Sequence, residues 1–462
     1  MGGDPRLALD PLSGLNKYAC RPFPDPELLA FGSSTASVIS PEGFAIAERL
    51  RRRLSADMRN KTHATVYALE MQRMRSAWLQ SCGLAEIDGL ELIFSPSGTD
   101  AHGIAAQYAG SGAPALIIMV EANETGSGVA SALNVNNVEV AHIAIRLDDG
   151  TPRPLAAVDA EAEALASQAV ASNRRVLLIL VDQSKTGLIA PSPACVTALQ
   201  QRFPDRIEVL VDACQFRIAA PTLRAYLEQD FMVALTGSKF FGAPSFSAAL
   251  LVPPNAAKRL QNRVFPKALP AASAGADWPE HWPGAEHIDH TANFGLLLRC
   301  AVAADELKRF SAAPQAAVVD FLQRFAQAIS QRLLSDPHFE ALPCPRIDRR
   351  PLVEAASWDQ LPTIFPFLLY DPDRRRLLNR EQTLLVYQRL PAALDRPGTA
   401  IRCQLGQPVA CGVRNGTAVS ALRLCLSSRL LVEATHADKA ETVINNALAA
   451  LDKTALLIGQ LK

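Results

Sequence analysis

The chain has no excess charge of either sign. Lys+Arg and Asp+Glu number 46 each in 462 residues, which leaves no polyelectrolyte footprint for nucleic acid or an anionic membrane surface. It has no Cys-x-x-Cys pair, and its nine cysteines are odd in number. The sulfur therefore reads as reduced thiols, not a disulfide framework or a zinc site, and no metal is expected. No apolar run approaches the ~20 residues that a membrane helix needs. The first ten residues lack a charged head followed by an apolar stretch, so no signal peptide is expected and a cytoplasmic location is. No internal repeat is visible, and the basic run Arg49, Arg51, Arg52 and Arg53 is expected to face solvent on a helix.

What the sequence does contain is alternation. Short apolar runs at Leu90 to Phe94, Ala115 to Glu121, Val138 to Ile145, Val176 to Val181, Ile207 to Val211, Met232 to Leu235 and Ala248 to Val252 are separated by helical stretches. That pattern predicts a mainly parallel seven-stranded sheet with helices on both faces, an α/β fold. Before it, proline-punctuated text gives way to helices over Pro41 to Lys61 and from His63 to Cys82. After Leu296 come long amphipathic helices, Leu296 to Phe310 and Ala316 to Leu334, then short strands and a final helix, Lys439 to Gly459. At this length a large domain and a smaller one are expected. The divisions predicted are an N-terminal segment over 1–60, packing with the small domain, a large domain over 61–295 and a smaller α+β C-terminal domain over 296–462.

Three of the strand ends carry chemistry. Lys239, in Thr236-Gly237-Ser238-Lys239-Phe240, follows a buried strand and so stands at its carboxyl end, where ligands bind in open α/β sheets and where an amine can form a Schiff base. Upstream, Ile207 to Val211 ends in Asp212-Ala213-Cys214-Gln215, which puts a carboxylate on the same rim. Further upstream, Leu92-Ile93-Phe94 leads into Ser95-Pro96-Ser97-Gly98-Thr99-Asp100 and a helix. Unpaired N–H groups at such a helix start favour a phosphate. An amine, an acid and an anion cradle are together what pyridoxal 5′-phosphate requires.

These motifs resemble those of the fold-type I pyridoxal-phosphate enzymes, and within them the class V aminotransferase and cysteine desulfurase superfamily. The likeness runs from about Ser95 to Ser428. It implies Lys239 as the Schiff-base lysine and general base, Asp212 as partner of the pyridine nitrogen, and Gln215 on the ring's phenolic oxygen. It also implies Ser97, Gly98, Thr99, Thr236 and Ser238 around the phosphate. In His290-Thr291-Ala292-Asn293-Phe294, Thr291 matches a residue that reaches the neighbouring subunit's phosphate, which implies a homodimer with sites at the interface. Arg423, in Leu422-Arg423-Leu424-Cys425, matches the arginine that grips a substrate carboxylate, with Arg402 as a second candidate.

Two segments depart from the family. Where relatives carry a histidine that covers the ring, this chain reads Glu121-Ala122-Asn123-Glu124, so Asn123 or Glu124 is expected to cover it. Where relatives carry an asparagine turn, it reads Asp182-Gln183-Ser184, and Gln183 is expected to substitute. The implied function is an enzyme acting on a small α-amino acid through a quinonoid carbanion, with an aminotransferase or lyase outcome. Two alternatives stand beside it. One is a cysteine desulfurase using Cys403, whose thiol would have to be exposed with a depressed pKa. The other is a binding or regulatory protein that kept the fold and lost the chemistry.

Overall fold

The computed structural model describes residues 5–16, 18, 20–32, 37–271, 273–289, 291–343, 346–393, 400–436 and 438–461. Its larger sheet has seven strands in the spatial order Glu91–Ser95, Ala248–Val252, Met232–Thr236, Ile207–Ala213, Arg175–Asp182, Ala115–Val120 and Val138–Ile143, with the two-residue strand Ile189–Ala190 paired to one of them. Five neighbouring strands run parallel, and Ala248–Val252 is antiparallel to both of its neighbours. Each predicted apolar run is a strand, with ends shifted by a residue or two.

The continuous apolar text of these strands follows from burial on both faces. Along one central strand, Leu116, Ile118 and Val120 enter one core, while Ile117 and Met119 enter the other. The same alternation sends Leu178 and Leu180 to the first core, and Leu177 and Ile179 to the second.

A second sheet takes the order Leu28–Phe31, Arg402–Arg414, Thr417–Cys425, Ile364–Asp371 and Phe339–Ala341. Its first strand comes from the N-terminal stretch and pairs in parallel with Arg402–Arg414, Leu28 opposite Arg402 and Phe31 opposite Leu405. Two helices link the N-terminal stretch to the rest. Pro41–Asp57 starts at Ser40, whose side chain accepts from the Gly43 N–H. His63–Ser81 packs on helix Phe294–Ser311 and is tied there by Trp78 Nε1 donating to the Cys300 carbonyl at 3.1 Å. In the basic run, Arg51 and Arg52 pair with Glu48 on the same helix, and Arg53 with Glu70.

The two sheets are pinned by one buried ion network. Arg349, 2% exposed, donates from Nε and Nη2 to both oxygens of Asp182 at 2.7 and 2.8 Å, and from Nη1 to the Asp359 carbonyl at 2.8 Å. Tyr226 donates its hydroxyl to Asp182, and Asp359 accepts from the Ala219 N–H and the Thr222 hydroxyl. Burial alone would lower the Arg349 guanidinium, but the two carboxylates hold it firmly charged. Removing one member strands its partners in a low-dielectric interior. Arg349→Met is therefore expected to cost about 3–5 kcal/mol, read as a lower urea midpoint at unchanged slope; a midpoint within error of the parent would show that the network contributes no net stability.

Candidate functional site

At the carboxyl edge of the parallel strands, three chain segments converge on a cavity of about 200 Å³ lined by Ser97, Gly98, Thr99, Asp212, Cys214, Thr236, Ser238 and Lys239. Glycine permits the convergence. A Cβ on Gly98 would lie 2.4 Å from Cys214 Sγ and 3.2 Å from the Thr236 methyl, so the turn before helix Gly98–Ala109 can touch the other two loops only without a side chain there. Gly237 is constrained in the same way by Ala303 of the helix beneath.

The helix start offers unpaired N–H groups of the kind that suit an anion. Ser97 caps it by accepting from the Asp100 N–H at 3.3 Å, and the N–H groups of Gly98 and Thr99 precede the first turn of internal acceptors. Thr236 lines the cavity but donates its hydroxyl to the Cys214 carbonyl at 2.7 Å, leaving only its lone pairs to offer. Ser238 is buried beside it, and its carbonyl accepts from the Ser37 hydroxyl at 2.5 Å.

Asp212 lies at the end of strand Ile207–Ala213, and His102 stands behind it, with Nε2 3.4 Å from Oδ2 and Nδ1 2.7 Å from the Gly98 carbonyl. Burial alone would push the carboxyl up. The His102 imidazolium, the Lys239 ammonium and a hydrogen bond from the Cys214 side chain outweigh it and hold Asp212 well below the usual carboxylate range. Conversely, burial would lower His102, but Asp212 and the Gly98 carbonyl raise it above 6.5. His102, Asp212 and Cys214 bring their ligand atoms within 4.8 Å of one another, as a metal site would. Burial and the Asp212 charge keep the Cys214 thiol protonated, however, and Asp212 is already paired, so the group serves as a buried anion with its own counter-ion.

Not every predicted residue reaches this cavity. Gln215 and Gln183 are buried near it without lining it; Gln183 Nε2 has no hydrogen-bond acceptor among the described residues. Asn123 is exposed, and its carbonyl accepts from Lys185 Nζ at 3.1 Å. Glu124 is drawn away by Arg146 at 2.5 Å and by the Ser184 and Thr186 hydroxyls. Neither is placed as a ring cover; the loop that follows them contributes Gly126, Ser127, Gly128 and Val129 to the wall instead. Thr291 is exposed and lines a different groove, and His290 lies outside the described residues.

Arg402 is committed elsewhere, in a two-pronged pair with Asp25 at 3.0 and 2.6 Å that ties the first strand of the second sheet to its neighbour. Arg423 is buried, donating to the Lys185 and Gln407 carbonyls at 3.1 and 2.8 Å. Cys403 does not meet the requirement for a sulfur acceptor: it is fully buried, and burial pushes its thiol up to about 11.

Three contributors went unread in the sequence. His102 follows Gly98 by four residues, which places both on one helical face, and that spacing was the available signal. Arg6 and Tyr18 of the N-terminal stretch also line the cavity, with the Arg6 guanidinium 4.3 Å over the Phe246 ring and 2.9 Å from Asp100. No local pattern announces a contact across that span of chain.

Solved structures share this architecture. A glutamate decarboxylase domain of a diaminobutyrate-pyruvate transaminase and L-2,4-diaminobutyrate decarboxylase from Vibrio parahaemolyticus superposes with a TM-score of 0.55 at 14% identity, covering 95% of this chain and 81% of that one. An alanine–glyoxylate aminotransferase from Nostoc sp. gives 0.55 at 13% identity over 93% and 97% of the two chains. A serine palmitoyltransferase from S. paucimobilis with a bound PLP–myriocin aldimine gives 0.53 at 13% over 93% and 88%. The fold is that of the fold-type I transferases. No protein-family model and no curated protein sequence matches the chain.

The Asp212–His102 pair sets a pH signature. His102 has its pKa raised on folding, so its contribution is full below 6.5 and is lost as pH climbs through the raised value; Asp212 contributes fully above 3.8 and loses it in acid. Thermal unfolding of the parent and of His102→Gln should therefore differ most near pH 5 to 6 and converge as the buffer becomes alkaline. A gap that stays constant or widens with pH would contradict the charged pair.

Proposed function

We propose that the chain is a pyridoxal 5′-phosphate enzyme acting on a small-molecule α-amino acid, of aminotransferase or lyase type and resembling the class V branch. The observation that carries this reading is one cavity holding an amine, an ionised buried carboxylate and a helix start: Lys239, Asp212 and Gly98–Thr99. The residues present fit the cofactor. Gly98 and Thr99, the first residues of their helix, line the cavity, and the Gln183 amide is a buried donor without an acceptor among the described residues.

When bound, the cofactor supplies an aldehyde that captures amines and a ring that accepts the electron pair released at the substrate's Cα. Asp212 Oδ keeps a proton on the ring nitrogen, a task for which it must stay ionised despite its burial, and His102 keeps it so. Gly98 and Thr99 N–H groups and the Thr99 hydroxyl hold the phosphate, and Gln183 and Gln215 are the candidates for the phenolic oxygen. Lys239 Nζ would hold the aldehyde and, when free, would move a proton between Cα and the next carbon that needs one. Arg423 is the candidate for the α-carboxylate. Exposed Thr291 is available to a second copy of the chain, and a homodimer with shared sites belongs to the same proposal.

Protein purified with added cofactor is expected to show a visible absorption band. Borohydride followed by peptide mapping should fix the label on Lys239. Lys239→Ala is expected to abolish that label and lower turnover of the best amino acid by at least roughly 10²–10⁴-fold. A label on another lysine, or none, would overturn the assignment.

A further inference from the structure

Around Phe240, the neighbour of Lys239, and the Lys185 carbonyl lie buried guanidinium groups for which the described residues provide no acid. Arg217 stands two residues after Gln215 and is fully buried. Its Nη1 donates to the Leu426 carbonyl at 2.9 Å and, more weakly, to that of Thr363 at 3.4 Å. Its Nε and Nη2, the two donors along the other edge of the guanidinium, are buried and have no acceptor among the described residues. The guanidinium lies 5.1 Å over the ring of Phe240, the residue next to Lys239.

Arg423 repeats the situation in part. Its two terminal nitrogens meet the Lys185 and Gln407 carbonyls, its Nε is buried and bare, and Gly406 opposite it has no side chain, since a Cβ there would sit 3.0 Å from the guanidinium carbon. Lys185, through whose carbonyl Arg423 is held, carries a further cation on the same loop. None of the three has an ion-pair partner among the described residues. The buried acids of the neighbourhood are already taken: Asp212 by His102, Glu124 by Arg146, and Asp182 and Asp359 by Arg349.

The charges feel one another. Burial first, and then Lys239 and Arg423, bring the Lys185 ammonium down to about 8; burial and Arg423 bring Arg217 down to about 10. A buried guanidinium without an acid is costly, and the edge left open on Arg217 presents two parallel N–H donors, the pattern that matches a carboxylate. One α-carboxylate cannot neutralise three cations.

The geometry points to an amino-acid substrate with a second carboxylate, one carboxylate held by Arg423 and the other by the open edge of Arg217, with Lys185 between them in charge. This substrate class rests on the cofactor reading above; the anion site itself does not. Thr363 and Leu426, whose carbonyls hold Arg217, flank strands of the second sheet.

Binding of glutarate and butyrate, measured by calorimetry on the full chain with and without added cofactor, tests the site apart from any chemistry. Glutarate is expected to bind at least tenfold more tightly than butyrate, and Arg217→Gln to erase most of that preference while Arg217→Lys keeps part of it. Equal binding of the two by the parent protein, which needs no variant to fold, would overturn the proposal, as would an unchanged preference in a folded Arg217→Gln protein. Tighter binding of 3-phosphonopropionate than of glutarate would overturn the carboxylate in favour of a phosphate. If glutarate binds selectively but Lys239 takes no borohydride label, the cofactor reading and with it the substrate class fall, and the anion site stands.

Discussion

The structure depends on keeping one carboxylate ionised where there is almost no water. Burial drives Asp212 toward its neutral form, and three separate pieces of chain oppose that drive: the His102 imidazolium on helix Gly98–Ala109, the Lys239 ammonium on the loop after Met232–Thr236, and the Cys214 side chain on its own loop. None of these acts over more than a few ångströms in effect, so the three loops must meet. Parallel strands with right-handed helical crossovers bring their carboxyl ends to one rim, and the missing side chain at Gly98 lets the loops close the last distance. The fold can therefore be viewed as the scaffold that this buried negative charge requires.

Legibility in the sequence followed the range of the interactions. The seven strands were readable because burial on both faces makes each a short unbroken apolar run, a property of five or six adjacent residues. That Ser97–Thr99, the Asp212 loop and the Lys239 loop stand at strand ends was readable because each is a local motif following an apolar run. The fine structure of the site was not. Glu124, expected over the ring, is claimed by Arg146, which lies beyond the next strand, and by hydroxyls of a loop still further on. Asp182, adjacent to the expected Gln183, is claimed by Arg349 from far along the chain. Charge pairing in the interior is decided by tertiary neighbours, and a linear pattern does not say which acid meets which base. Cys403 stood as a candidate only through the resemblance, and strand Arg402–Arg414, paired on both sides, buries it.

Arg6 adds a further constraint that a local reading does not see. It neutralises Asp100, an acid placed in the first turn of the helix whose start is the candidate anion site. A carboxylate there stabilises the helix dipole and would repel a phosphate. With the Arg6 guanidinium on it and on Ser97, the acid keeps its first role while its charge is compensated in the second. The N-terminal stretch is thus part of the electrostatics of the cavity as well as of its wall.

Four buried guanidinium groups, Arg349, Arg146, Arg217 and Arg423, differ in what meets them. Arg349 and Arg146 are each met by carboxylates, with hydroxyls and carbonyls completing the remaining valences. Those sites show that the chain supplies an acid for a buried guanidinium where one serves the fold. Arg217 is held by carbonyls at Nη1 and Arg423 by carbonyls at both terminal nitrogens, while Nε and Nη2 of Arg217 and Nε of Arg423 have no acceptor among the described residues. Carbonyls orient a guanidinium without neutralising it, so each remains a positioned cation. Arg217 packs on Phe240, the neighbour of Lys239, and Arg423 is held through the Lys185 carbonyl, a placement that suits a missing negative charge belonging to a ligand that comes and goes.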